Sequence, residues 1–260
     1  EISSVLPTIG WKKISIEGNR VTLQPGTKID LGGIAKGFLS GKLMEIFRDH
    51  GVETGIVSLG GNVQTLGEKT DGSIWKVALQ DPDDPDRYLG QLSVADKAVV
   101  TSGSYQQHFE KDGKEYHHIL DPKTGWPADS GLTSVTIICE DGARADGLST
   151  ALFVMGAERG IAYWKDNEGF DAIFVTADRK IYVTDVVPVP KNDFETWNDD
   201  GREWRESVLK CSTLERFEST EDNKVQHEIY RKNSYLRILQ SRHVRRTDQK
   251  EKKKSYYNDM

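Results

Sequence analysis

The segment Asp30-Leu31-Gly32-Gly33-Ile34-Ala35-Lys36-Gly37 constrains this chain more than any other. A glycine pair opens directly into an amphipathic helix. The apolar positions Ala35, Leu39, Leu43, Ile46 and Phe47 recur at helical spacing between Ile34 and Asp49, and Gly51 stands where a C-cap belongs. Such a turn has two uses. Glycines let backbone amides approach an anion, the helix N-terminus adds partial positive charge, and Lys36 adds a full one, which together make a phosphate seat. The same residues also make an ordinary turn ahead of a helix. The segment is not a Walker pattern, because Phe38 follows Gly37 where Ser or Thr is required.

Trp11 to Ile16 and Arg20 to Leu23 flank Glu17-Gly18-Asn19 and read as a hairpin, since Gly-Asn supplies the positive dihedrals of a tight turn. Strands are expected at Gly55–Leu59, Ile74–Leu79 and Ala98–Thr101, with a second hairpin turn at Asp112-Gly113. The β-branched run Thr133–Cys139 is another strand. A helix follows over Ala143–Met155, closed by Gly156, with Ala145, Leu148, Leu152 and Met155 along one face. Ala172–Thr176 and Lys180–Thr184 form a closing hairpin. This mixture, without internal repeat, predicts an α+β fold of mixed or antiparallel sheets with packed helices.

The pattern stops near Asp185. Val186-Val187-Pro188-Val189-Pro190 reads as a linker, because paired prolines disfavour both helix and central strand. We therefore expect one domain over 1–186 and a charged tail over 187–260. Residues 1–186 carry 19 Lys and Arg against 27 Asp and Glu, whereas 187–260 carry 16 against 14. An acidic body argues against nucleic acid as a partner and suits a divalent cation. For the tail, whose residues 229–260 hold ten basic against three acidic side chains, a mobile or partly helical solvated segment is expected. An arm for nucleic acid or an anionic membrane is the alternative. The mean hydropathy of −0.59 agrees with a segment that adds little to a core. Cys139 and Cys211 lie far apart and form neither a disulfide framework nor a zinc motif. No run reaches the roughly 18 apolar residues of a membrane span, and Glu1 begins without a signal peptide, which leaves the compartment open.

Four further clusters carry chemistry. In Ser58-Leu59-Gly60-Gly61-Asn62 a strand ends in two glycines and an amide, a pattern that admits a flat ligand or a simple turn. Thr101-Ser102-Gly103-Ser104 places hydroxyls at a strand end, where they hold a nucleotide or cap a helix. His117 and His118 are adjacent, so on a strand only one can enter a site; His118 is the candidate base or phosphate contact, against a plain surface histidine. Asp146 and Thr150 are i and i+4 on the expected helix, which turns a carboxylate and a hydroxyl the same way. A hard cation such as Mg²⁺ takes that pair, though each residue alone is an unremarkable helix residue.

Taken together, DLGGIAKG at 30–37, SLGGN at 58–62, TSG at 101–103, HHILDPKTG at 117–125 and ADGLSTA at 145–151 resemble the ApbE family of FAD:protein FMN transferases. The resemblance implies an ApbE-like (T-fold-like) α+β domain that cleaves FAD at its pyrophosphate, releases AMP and attaches FMN through a phosphoester to a Thr or Ser of an acceptor flavoprotein. It implies Mg²⁺ on the side chains of Asp146 and Thr150 and a backbone carbonyl near Gly33. Contacts to FAD would come from Asp30, Gly33, Lys36, Ser58, Gly60, Gly61, Asn62, Ser102, Gly103, His118 and Ile119. Asp146 or His118 would be the catalytic base, and the residues leave that choice open. An acceptor of the respiratory or extracytosolic electron-transfer class, and a site outside the cytoplasm at a membrane tether, follow from the same resemblance. Only 29 residues precede Asp30, fewer than the family usually carries there, so part of the pocket is expected to be missing. The other readings kept open are FAD binding without transfer and a Mg²⁺-dependent FAD pyrophosphatase.

Overall fold

The computed structural model describes residues 2–84 and 86–184 and, beyond them, the backbone of three strands at Glu195–Asp199, Arg202–Val208 and Arg237–Gln240. A short helix α1 (Ile2–Val5) and two 3-10 turns lead into a hairpin of β1 (Ile14–Glu17) and β2 (Arg20–Leu23). Helix α2 (Ala35–Asp49) follows, then β3 (Gly55–Leu59), β4 (Asn62–Leu66), β5 (Trp75–Gln80), β6 (Tyr88–Val94) and β7 (Ala98–Gly103). A second hairpin, β8 (His108–Lys111) and β9 (Lys114–His117), precedes β10 (Leu132–Cys139). Helices α3 (Gly142–Met155) and α4 (Ala157–Asp166) precede β11 (Asp171–Thr176) and β12 (Lys180–Thr184). The three further strands, β13 to β15 in chain order, join the same main sheet, whose order is β13-β14-β12-β11-β10-β7-β4-β3-β15. Every neighbouring pair in it is antiparallel.

The α+β expectation holds, and most elements lie within a residue or two of their expected positions. Seven helices and strands lie where none is expected: α1, β4, β6, α4 and the strands β13, β14 and β15. Trp11 to Lys13 form a 3-10 turn, so the first hairpin starts later, at Ile14. The expected boundary at 186/187 lies outside the described residues, whereas the described parts of the expected tail, Glu195–Asp199, Arg202–Val208 and Arg237–Gln240, are strands of the main sheet rather than helix or solvated chain.

Both faces of the central strands β7, β10 and β11 are covered, which explains why these strands read as nearly continuous apolar runs. Alternate residues serve different layers. Val100, Ile137 and Phe174 face α3 and α4, where they pack with Leu152, Phe153 and Trp164; Val99, Ile138 and Ile173 face the β5–β6 hairpin with Val77, Leu79, Leu92 and Val94. A third cluster of Met44, Phe47, Val57 and Leu66 fastens α2 to β3 and β4. The sheet thus holds α2 and α3 side by side on one face, which creates the site described next.

Cys139 ends β10 and is 2% exposed. Burial pushes its thiol up to about 11, because the apolar surroundings disfavour the thiolate. In a Cys211→Ser background, alkylation at pH 8 is therefore expected to run about 100-fold slower on the native chain than in urea, given an ordinary thiol near 9. The native rate should climb about tenfold per pH unit until the thiol titrates. Equal native and denatured rates at pH 8 would contradict this placement.

Candidate functional site

The site is built where α2 crosses α3. A Cβ on Gly37 would fall on the Gly142 carbonyl and within 2.8 Å of the Asp146 Cβ. A Cβ on Gly142 would lie 2.6 Å from the Gly37 carbonyl and 2.8 Å from the Ser40 hydroxyl. Glycine on both sides lets the two backbones meet, and it sets Asp146 directly beneath the start of α2. The Gly37 amide donates to Asp146 Oδ2 at 2.9 Å. No side chain of its own segment caps α2, whose N-cap position is Ile34. Asp146 does so from the neighbouring helix, a favourable place for negative charge. In a regular helix the Gly37 amide would return to the Gly33 carbonyl; its donation to Asp146 leaves that carbonyl available.

Asp146 is 5% exposed. Burial raises its carboxyl above the usual range, opposed by the Gly37 amide, the Lys36 charge and the Asn62 side-chain amide. The groups that favour the ionised form of Asp146 against its burial are thus drawn from α2 and from β4. Asn62, 1% exposed, sits just past Gly60 and Gly61, whose φ values of +57° and +88° make the two-residue turn between β3 and β4. Its Nδ2 is buried and has no hydrogen bond of regular geometry among the described residues, and the Asn62 amide is one of the groups that lower the Asp146 carboxyl against its burial. Ser40 lies under the same crossing, 2.9 Å from the Gly37 carbonyl, 3.3 Å from Asn62 Oδ1 and 2.8 Å from Gln64 Oε1. Gln64 Nε2 in turn donates to the Glu140 carbonyl at 3.1 Å.

One helical turn beyond Asp146, the Thr150 hydroxyl lies 3.0 Å from Ser102 Oγ on β7, and Ser102 Oγ lies 2.8 Å from Ser149 Oγ. Gly103 continues that strand with a Cβ position blocked by the Tyr105 ring. The structure therefore brings Gly37, Asn62, Ser102 and Asp146, all buried, together with half-buried Thr150 into one junction, with exposed Gly33 and Lys36 just before and at the start of α2. Asp30 is exposed and accepts from the Gly32 amide at 2.6 Å, which shapes the glycine turn. Ser58 lies on β3, paired with Val63.

The adjacent histidines divide as strand geometry requires. His117 turns inward, its ring edge-on to Phe153 at 5.7 Å and its Nε2 3.2 Å from the Ala128 carbonyl. His118 is exposed, with Nδ1 3.2 Å from the Gln107 carbonyl. A carbonyl only accepts, so this contact puts a proton on Nδ1, and in the neutral ring the lone pair is then on Nε2, where a general base needs it. The Ile119 side chain is 4% exposed and belongs to the core, so it offers no side-chain surface to a ligand.

Four residues of the junction were not singled out in the sequence: Ser40, Gln64, Gly142 and Ser149. Ser40 had a signal, a small polar residue three positions after Gly37 on the buried side of an amphipathic helix. Gln64 and Gly142 had none, because only the packing of β4 and α3 against α2 gives them neighbours.

The ApbE family description matches residues 1–174. This chain belongs to the ApbE family. Among its relatives, the FAD:protein FMN transferase of Klebsiella pneumoniae is 44% identical over 162 residues, 62% of this chain and 49% of that protein. That of Treponema pallidum is 40% identical over 172 residues, covering 61% and 46%. Solved structures agree. The ApbE protein of Thermotoga maritima superposes with a TM-score of 0.64 at 39% identity, over 69% of this chain and 59% of that one. The apo flavinyl transferase ApbE of Pseudomonas stutzeri does so with a TM-score of 0.60 at 30% identity, over 81% and 58%. This ApbE-family chain thus spans about half the length of the curated relatives it matches.

Among the described residues, no group of three or more His, Cys, Asp and Glu gathers as a metal site. The junction offers a different donor set: one carboxylate, the Thr150 hydroxyl and the Gly33 carbonyl. All are hard oxygens, and a single protein carboxylate completed by carbonyl, water and phosphate oxygens fits Mg²⁺ better than zinc or copper.

Proposed function

We propose that this chain carries the Mg²⁺ and FAD site of an FAD:protein FMN transferase, which moves FMN onto a Thr or Ser of an acceptor flavoprotein. The observation that carries the reading is the α2–α3 junction, where a desolvated carboxylate faces a helix start, a lysine and a hydroxyl one turn away. Asp146, Thr150 and the Gly33 carbonyl would hold the cation. Mg²⁺, when bound, supplies charge to the phosphate oxygens as negative charge develops on them.

The chain's own residues supply the rest. The glycine turn and Lys36 bind and orient the pyrophosphate, with Asp30, Ser58, Gly60, Gly61 and Gly103 around the nucleotide. The acceptor hydroxyl forms its bond to the FMN phosphorus as the bond to AMP breaks, and its proton passes to a base. His118 Nε2 is the better placed for that role, because it is exposed to an incoming protein while Asp146 is buried against α2. His118→Ala is expected to lower transfer about 10²- to 10⁴-fold while Mg²⁺ binding is unchanged. Loss of Mg²⁺ binding in that variant would argue against the assignment.

Incubation with FAD, Mg²⁺ and a candidate acceptor should give a flavin-fluorescent band that survives denaturing electrophoresis, with one AMP released per FMN attached. No band with an acceptor that another family member flavinylates would sink the transferase reading. In the alternative reading the chain holds FAD without transfer, or hydrolyses it to free FMN and AMP, and the same assay separates these outcomes. A place outside the cytoplasm and an extracytosolic electron-transfer acceptor belong to the proposal through the family resemblance. No helix of the described residues is long and apolar enough to cross a membrane. Cell fractionation tests the compartment, and flavin found only on cytosolic acceptors would remove that part.

A further inference from the structure

Resting on the cation site proposed above, we infer that Ser102 and Ser149 are positioning residues for Thr150, and that Ser102 acts on the site through hydroxyl polarity rather than by touching the flavin. Each hydroxyl has one proton to donate and lone pairs to accept. Ser149 Oγ lies 2.9 Å from the Asp146 carbonyl, which can only accept, so the Ser149 proton is committed there. The Ser102–Ser149 contact at 2.8 Å then requires Ser102 to be the donor. With its own proton spent, Ser102 meets Thr150 at 3.0 Å as an acceptor, and Thr150 must be the donor.

The chain therefore runs one way: Thr150 to Ser102, Ser102 to Ser149, Ser149 to the Asp146 carbonyl. Its effect is to draw the Thr150 proton toward β7, leaving the oxygen's lone pairs free on the other side. A hydroxyl that ligates a cation must do this, because its proton cannot point at the metal. Ser149 is fully buried and Ser102 is 9% exposed, so water does not readily take over either partner. The anchor of the chain is the main chain of Asp146 itself, which ties the orientation of one proposed ligand to the helix that carries the other.

The test uses the full chain and calorimetric Mg²⁺ titration without FAD or acceptor. Ser102→Ala is expected to weaken Mg²⁺ binding about 10- to 100-fold, as loss of a group that orients a metal ligand does. Ser149→Ala should weaken it in the same direction, although Ser149 touches no proposed ligand atom and reaches only the Asp146 backbone carbonyl and Ser102. In a Thr150→Val background, whose cation affinity is already reduced, Ser102→Ala should cost less than about twofold, since the hydroxyl it orients is gone. A merely structural Ser102 would cost the same in both backgrounds, and that result would overturn the inference, as would undiminished binding in Ser102→Ala and Ser149→Ala. Urea melts of each variant identify any that fail to fold, and the Ser149→Ala arm still decides if Ser102→Ala is one of them. Absence of Mg²⁺ binding to the wild-type chain would instead remove the cation site, and this inference with it.

Discussion

Asp146→Asn is expected to abolish detectable Mg²⁺ binding and to lower FMN transfer at least about 10³-fold. The substitution keeps the shape and an oxygen that can accept the Gly37 amide, but removes the only carboxylate of the junction. Losing a cation that steadies phosphoryl transfer costs several kcal/mol, and about 1.4 kcal/mol corresponds to each tenfold in rate. The fold should survive. Burial already disfavours the charge at this position, so a neutral isostere removes a desolvation cost while keeping the cap on α2. Calorimetry, the flavin-fluorescence assay and urea melts in chelator check the three parts. Mg²⁺ affinity within threefold of wild type would refute the ligand assignment, whatever the activity.

Gly37→Ala is expected to destabilise the chain by at least about 3 kcal/mol, or about 6 to 12 °C in Tm, and to remove Mg²⁺ binding with it. Two effects oppose each other here. Alanine is the better helix former by about 1 kcal/mol. The steric effect wins, because the new Cβ meets the Gly142 backbone and the Asp146 Cβ, neither of which is the free end of a flexible side chain. Relief requires α2 to move off α3, which withdraws the Gly37 amide from Asp146. A Tm within about 2 °C of wild type would show that the helices have room to part, and the close crossing would then not be what sets the site.

Much of the fold was legible because its strands alternate over covered faces and its helices repeat at 3.6 residues. Helix α2 and strands β3, β7 and β10 stand within two residues of where periodicity and turn chemistry put them. Strand β4 was not legible, and the reason is instructive. Asn62, Gln64 and Thr65 make its sequence look like a polar loop after two glycines, yet all three are buried, paid for by Ser40, the Glu140 carbonyl and the Lys97 carbonyl. Those partners come from other elements and leave no local trace. Helix α4 is short, and the glycine that ends α3 also begins it.

The opening segment 30–37 shows the division between the two levels most clearly. By itself the sequence determined that glycines open a helix there, that a lysine follows, and that an aspartate and a threonine share one face of a later helix. Those facts are local, set by backbone dihedrals and by helical spacing over a few residues. Only the tertiary structure decided what Gly37 is for. It is the contact at which α2 meets α3 through Gly142, and its amide belongs to Asp146, which lies 109 positions away in sequence. Spacing within one helix can align Asp146 with Thr150, but packing between helices and sheet is needed to bury the carboxylate, supply its amide donors and orient the hydroxyl beside it.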